Sequence, residues 1–253
     1  MPGADRRTPR LFVAAPLAEG ARLTLPREQA NYLVNVLRLT AGARALAFNG
    51  RDGEFSASLA PIAHKGAALT LGARTRPPER PPDVEFLFAP LKHARLDYVA
   101  QKAVEMGAGR LRPIVTRRTQ PARLNLGRLC ANAIEACEQC GVIWTPEVVP
   151  LEPLDQVLAA WPPGRLLVFC DEAAPQASPL AALGEAKAEF GVSLLIGPEG
   201  GFDEAERAAI LCIPQVVRLS LGPRVLRADT AAVAALALVQ ATLGDWSSPA
   251  RGA

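Results

Sequence analysis

The apolar positions of this chain change their spacing once. Up to about residue 76 they fall in short runs, Arg10–Ala14, Ala21–Leu25, Arg44–Asn49, Glu54–Leu59 and Ala67–Ala73. Each run has strand length and is bounded by turn formers. Asn49-Gly50-Arg51-Asp52-Gly53 is a strong hairpin turn. One helical stretch, about Arg27–Leu37, interrupts the strands. Together these predict a small β-rich module, a barrel. Pro77-Pro78-Glu79-Arg80-Pro81-Pro82 then stops any helix or inner strand and favours a stiff extended linker. Beyond it the pattern alternates. Strands are predicted at Val84–Ala89, Leu111–Thr116, Leu166–Cys170, Ser193–Gly197 and Val216–Leu221. Helices are predicted at Ala94–Met106, Asn125–Cys140, Pro179–Glu189, Asp203–Leu211 and Thr230–Leu243. Such alternation implies an α/β fold with a parallel sheet, in which ligands bind outside the carboxyl ends of the strands. The expected division is a barrel over 1–76, a linker over 77–82, an α/β domain over 83–246 and a disordered tail over 247–253.

Two helices carry further signals. Asp203-Glu204-Ala205-Glu206 reads as an N-cap with an acidic first turn. The last helix, Ala231–Val239, is nearly all small and apolar, which calls for burial on every side, in the core or in a subunit interface.

Composition narrows the class. The chain has 253 residues, 49% of them apolar, which suffices for a core and argues against wholesale disorder. The net charge of +3 is unevenly spread: residues 1–82 hold 12 Lys/Arg against 6 Asp/Glu, the remainder 16 against 19. A basic first part points to a polyanion partner, or else to a solvated arginine-rich surface. Five cysteines, an odd number, argue against a disulfide framework. Cys137 and Cys140 form a C-x-x-C on a helix, but with only His64 and His93 as histidines no second ligand pair is evident. Ordinary thiols and no metal are expected. Arg6-Arg7 followed by Leu11–Ala15 is too short for a secretion signal and is cut by Pro16. No run approaches the roughly 18–20 apolar residues of a membrane span. A soluble cytoplasmic protein is expected.

Candidate chemistry concentrates in two loops. Leu195-Ile196-Gly197-Pro198-Glu199-Gly200-Gly201-Phe202 and Leu221-Gly222-Pro223-Arg224-Val225-Leu226-Arg227-Ala228-Asp229-Thr230 each end a strand in a glycine-bearing loop and open a helix. Glycine lets a ligand approach the main chain closely. The first loop is neither a Walker loop nor a dinucleotide fingerprint. Arg224, Arg227 and Asp229 at a strand's carboxyl end suit a polar or anionic substrate, the alternative being an N-capping Asp229 beside exposed arginines.

These two loops, the second extended back to Leu219-Ser220, resemble the C-terminal signature of the bacterial 16S rRNA (uridine-N3)-methyltransferases, the RsmE family of the SPOUT superfamily. Pro9-Arg10-Leu11-Phe12-Val13, Ala30–Arg38 with Ala41-Gly42, Gln101–Gly107 and Glu135–Gly141 are similar to four further family segments, so the resemblance covers nearly the whole chain. It implies an N-terminal PUA-like RNA-binding β-barrel, a C-terminal SPOUT α/β domain with a trefoil knot, and a homodimer packed through the knot. The cofactor implied is S-adenosylmethionine, lined by Ile196, Gly197, Gly201, Leu219, Leu221, Gly222 and Leu226, with Phe169-Cys170-Asp171-Glu172 as a third wall. The reaction implied is methylation of N3 of one uridine in 16S rRNA of the small ribosomal subunit. Arg227 or Arg224 would stabilise charge on the base and Asp229 would accept its proton, with helix capping as the rival role for Asp229. Arg10, Asn31 and Arg38 are the RNA-contact candidates, with Arg95, Arg117, Arg118 and Arg123 extending the track.

The chain departs from the family pattern in three places. Val142-Ile143-Trp144-Thr145-Pro146 stands where arginines are usual, so that a contact is lost there or Trp144 stacks on a base. Arg227-Ala228-Asp229-Thr230 stands for Arg-Thr-Glu-Thr, and Thr116-Arg117-Arg118 lacks the usual acidic residue. The residues also admit two other readings: a SPOUT enzyme acting on another atom, such as a ribose 2′-hydroxyl, and a non-catalytic RNA-binding assembly factor.

Overall fold

The computed structural model describes residues 8–62, 66–92, 94–119, 124–175 and 178–246. His64, His93, Arg123 and the 247–253 tail lie outside them. The chain divides into two units: one runs to Arg80 and takes in Cys137–Thr145, the other comprises Pro81–Ala136 and the chain from Pro146.

In the first unit, β1 (Arg10–Phe12), β2 (Arg22–Thr24), β3 (Arg44–Phe48), β4 (Glu54–Ile62) and β5 (Gly66–Arg76) form a sheet in the order β1-β3-β4-β5-β2. β1 runs parallel to β3, and the other pairings are antiparallel. Leu11 on one edge strand shares a single apolar core with Leu59, Leu69 and Leu71, and Leu23 of the other edge strand packs against it, so the sheet curls in the manner of a barrel. The β3–β4 turn is set by Asn49, whose Oδ1 accepts from the Arg51 and Asp52 N–H groups. The predicted helix over Arg27–Leu37 forms in two parts: α1 (Arg27–Asn31) and a π-helical turn over Tyr32–Val36. The wider turn buries Leu33 but leaves Val34 and Val36 exposed, and Arg38 ends it at φ +55°. Trp144 is 1% exposed, so the expectation that it stacks on a base is corrected: its ring is interior.

In the second unit the elements are β6 (Val84–Phe88), α2 (Ala94–Glu105), β7 (Arg110–Val115), α3 (Leu126–Cys140, whose last turn belongs to the first unit), β8 (Glu147–Val148), β9 (Glu152–Pro153), α4 (Leu154–Ala159), β10 (Leu166–Cys170), α5 (Pro179–Gly184), β11 (Val192–Ile196), α6 (Glu204–Leu211), β12 (Val216–Leu219) and α7 (Ala228–Thr242). The sheet order is β12-β10-β11-β6-β7-β8, with β9 also on β7, and every pairing is parallel. β6 and β11 are buried along their whole length, because parallel strands covered on both faces need no polar side. Leu87, Phe169 and Leu195 pack with Leu154 and Val157 of α4 and Ile210 of α6, while α7 packs on β11, α2 and α5. The predicted helix over Pro179–Glu189 stops at Gly184, since the chain must turn back to enter β11. Among the described residues no helix is long and apolar enough to cross a membrane.

Candidate active site

The sheet order makes the site. β11 enters between β10 and β6, so the carboxyl ends of β12, β10 and β11 lie side by side. Register pairs Cys170 with Leu219 and Phe169 with Leu195, and the Asp171 N–H donates to the Leu219 carbonyl at 3.1 Å. Three of the predicted residues, Ile196, Leu219 and Asp171, therefore meet at one sheet edge, and all three are buried.

The first glycine loop leaves β11 at Gly197. A Cβ there would stand 2.6 Å from the Phe202 ring, and that ring packs edge-on against Phe169 of β10 at 5.4 Å. Glycine is thus required for the loop to fold back over its own strand. Pro198–Gly201 closes a turn through the Gly201 N–H and the Pro198 carbonyl at 2.8 Å, and Glu172 lies against Gly201. The loop runs into α6, capped as expected: Asp203 accepts from the Glu206 N–H and Glu206 accepts from the Asp203 N–H. The first of these bonds, ahead of the charge of Arg117, holds the Asp203 carboxyl below its ordinary range.

The second loop leaves β12 at Ser220. Gly222 sits at φ +93°, a conformation that disfavours side chains, with nothing within 4 Å of where a Cβ would be. Leu221 and Leu226 are half-buried; Arg224 and Arg227 are exposed and make no ion pair with any described residue. Asp229 is not the N-cap of α7; that position is Arg227, which makes no side-chain capping bond. Asp229 sits in the first turn, its Oδ1 accepting from the Thr230 N–H at 2.8 Å and its Oδ2 3.9 Å from Arg95 Nε.

Asp171 holds the edge together. Its carboxylate, 4% exposed, accepts from Arg207 of α6 at 2.9 Å, Arg218 of β12 at 2.8 Å and the Ala173 N–H at 3.0 Å. Burial pushes this carboxyl up, but the guanidinium and N–H bonds outweigh it and hold it below the usual carboxylate range. Arg207 and Arg218 were not predicted; the signal for Arg218 was an arginine inside the apolar strand Val216-Val217-Arg218-Leu219.

Two arginines of the expected basic track have partners within this unit. Arg117 pairs with Asp203 at 3.0 Å, its N–H donates to Glu206, and Arg118 donates to the Gly200 carbonyl at 2.8 Å. Arg10, Asn31 and Arg38 lie in the other unit. Asn31 and Arg38 are exposed, and Arg10 is half-buried with its Nε donating to the buried Glu54 at 2.7 Å. A cavity of about 800 Å³ lined by Leu158, Trp161, Cys212 and Ile213 opens at the opposite, amino edge, away from both glycine loops. Among the described residues no group of three His, Cys, Asp or Glu could hold a metal ion.

Residues 78–240 match the RNA methyltransferase domain family and residues 25–71 match the RNA methyltransferase PUA domain, so the chain belongs to the RNA methyltransferase family, with a PUA-like unit preceding an α/β unit. It is 32% identical to the ribosomal RNA small subunit methyltransferase E of Synechocystis over 92% of this chain and 78% of that one, and 26% identical to that of Rickettsia conorii over 91% and 94%. Within the wider family it is thus a member of the small-subunit methyltransferase E group. The solved Neisseria gonorrhoeae methyltransferase E, bound to S-adenosyl methionine, superposes with a TM-score of 0.84 at 26% identity, covering 95% of this chain and 100% of that one. A putative methyltransferase from Legionella pneumophila, in complex with SAM, gives 0.81 at 29% identity, covering 93% and 98%.

Proposed function

We propose that the protein transfers a methyl group from S-adenosylmethionine to N3 of a uridine in the 16S rRNA of the small ribosomal subunit, working in the cytoplasm. The observation that carries this reading is the meeting of two glycine-bearing loops beside the clamped end of β10, in a chain of this family. The donor set fits the cofactor. Ile196, Leu219, Leu221 and Leu226 offer apolar walls, and the main chain at Gly197, Gly201 and Gly222 offers polar groups, with open space at Gly222 that a side chain would enter. Asp171 would contribute through its main chain, since its carboxylate is committed to two arginines.

When bound, the cofactor supplies an electrophilic methyl group on a sulfonium. The chain must supply positioning and charge. N3 of uridine is a poor nucleophile while it holds its imide proton, and the Asp229 carboxylate takes that proton. Arg224 and Arg227, exposed and without ion-pair partners among the described residues, stabilise the negative charge on the uracil oxygens. N3 lies on the pairing edge, so the base is received unpaired or flipped out. Asn31 and Arg38 of the first unit hold the RNA.

The second unit is a SPOUT domain with a trefoil knot. Supporting this, β12 is at the sheet edge while the following α7 packs back on β11 near the middle. The working form is a homodimer, supported by the apolar Val233, Ala234, Ala237 and Leu238 of α7, which one chain leaves only half-buried. The test is transfer of labelled methyl from S-adenosylmethionine to small subunits lacking the modification, followed by nucleoside analysis. Label as 3-methyluridine is expected. Label on ribose, or none with RNA bound, would overturn the reading.

A further inference from the structure

Arg95 is out of place by simple electrostatics. It lies in the first turn of α2, where the helix macrodipole disfavours a cation. Its compensation comes from two elements distant in sequence. Nη1 is 3.8 Å from Glu199 Oε1 of the first glycine loop, and Nε is 3.9 Å from Asp229 Oδ2 at the start of α7. Both separations exceed a hydrogen bond, and the Arg95 side chain is 41% exposed, so the guanidinium is shared between the carboxylates rather than captured by one. A planar guanidinium can span two acceptors in this way; a point-like ammonium is less suited to it. Arg118 on the other flank of the same loop differs: it holds the Gly200 carbonyl and has no tie to Asp229.

We propose that Arg95 is a positioning residue that couples the two halves of the site. Through it the loop that closes on the cofactor and the carboxylate that meets the target base are ordered together. This rests on the methyl-transfer reading above. A shared element of this kind makes cofactor and RNA each strengthen the binding of the other by the same factor. Because the pairs are partly exposed, the factor is modest, about three- to fivefold.

The test uses the full-length protein, S-adenosylhomocysteine as an unreactive cofactor probe, and small ribosomal subunits lacking the modification. Subunit affinity is measured with and without saturating probe. The wild type is expected to bind about three- to fivefold more tightly with the probe present, and Arg95→Gln to lose that ratio. Glu199→Gln breaks the same bridge from its other end and is expected to do likewise, which covers the case of an unstable Arg95 variant. Arg118→Ala is expected to weaken probe binding while keeping the ratio. An unchanged ratio in both bridge variants, or its equal loss in Arg118→Ala, overturns the coupling role while leaving the methyl-transfer reading intact. A wild type that fails to bind the probe overturns both.

Discussion

Replacing Asp171 by asparagine keeps the shape of the side chain and removes the charge that Arg207, Arg218 and the Ala173 N–H converge upon. A hydrogen bond to a charged group contributes about 1.5–3 kcal/mol and a neutral one about 1. Two guanidinium bonds at 2.9 and 2.8 Å are weakened at once, and the amide offers one acceptor oxygen where the carboxylate offers two. The arginines are 34% and 29% exposed and can turn to water, so the loss falls short of the ~3–5 kcal/mol of a stranded buried charge. We expect about 2 kcal/mol, or about 4–8 °C in the melting of this unit. The acid dependence follows from the depressed carboxyl. A group whose folded pKa lies below its unfolded value, about 3.9, stabilises the fold above that value and loses the contribution as pH falls through the folded one. Urea melts of wild type and Asp171→Asn should therefore differ at pH 7, begin to approach each other as the pH falls below about 4, and converge only below the lower folded pKa. Coincident curves at pH 7, or a gap that stays constant through the acid range, would refute the clamp. Cofactor affinity should fall in the same variant, because the clamp sets the ends of β10 and β12 and the position of α6.

Three further outcomes are expected. Gly197→Ala sets a Cβ 2.6 Å from the Phe202 ring, an overpacking of about 1–3 kcal/mol that should displace the first loop; wild-type cofactor affinity by calorimetry would contradict it. Asp229→Asn should lower turnover by roughly 100-fold or more with cofactor binding retained, as removal of a proton acceptor does; full activity would remove Asp229 from the mechanism. Burial, reinforced by Cys140 and Glu138, pushes the Cys137 thiol up to about 12, whereas Cys140 and Cys212 are exposed. Iodoacetamide at pH 8 should modify the latter two and spare Cys137, as mass spectrometry of the folded protein would reveal.

What could be read along the chain was what neighbours in sequence decide. Leu166–Cys170 is apolar without alternation and formed a doubly covered parallel strand; Asp203 and Glu206 stand three apart and formed a capping box. The glycine loops were visible because each follows its strand directly. Two-residue β8 and β9 and the six-residue α4 went unread, since a period cannot declare itself over so few positions. Tertiary structure alone decided that β11 enters between β10 and β6, which makes the two glycine loops share an edge with Asp171. It also decided which charges meet. Asp171 with Arg207 and Arg218, and Arg95 with Glu199 and Asp229, join residues from 36 to over 100 positions apart, and Trp144 became interior for the same reason. Propensity and periodicity act within a few turns of chain, whereas strand order and ion pairing are settled by how whole elements bury their apolar faces.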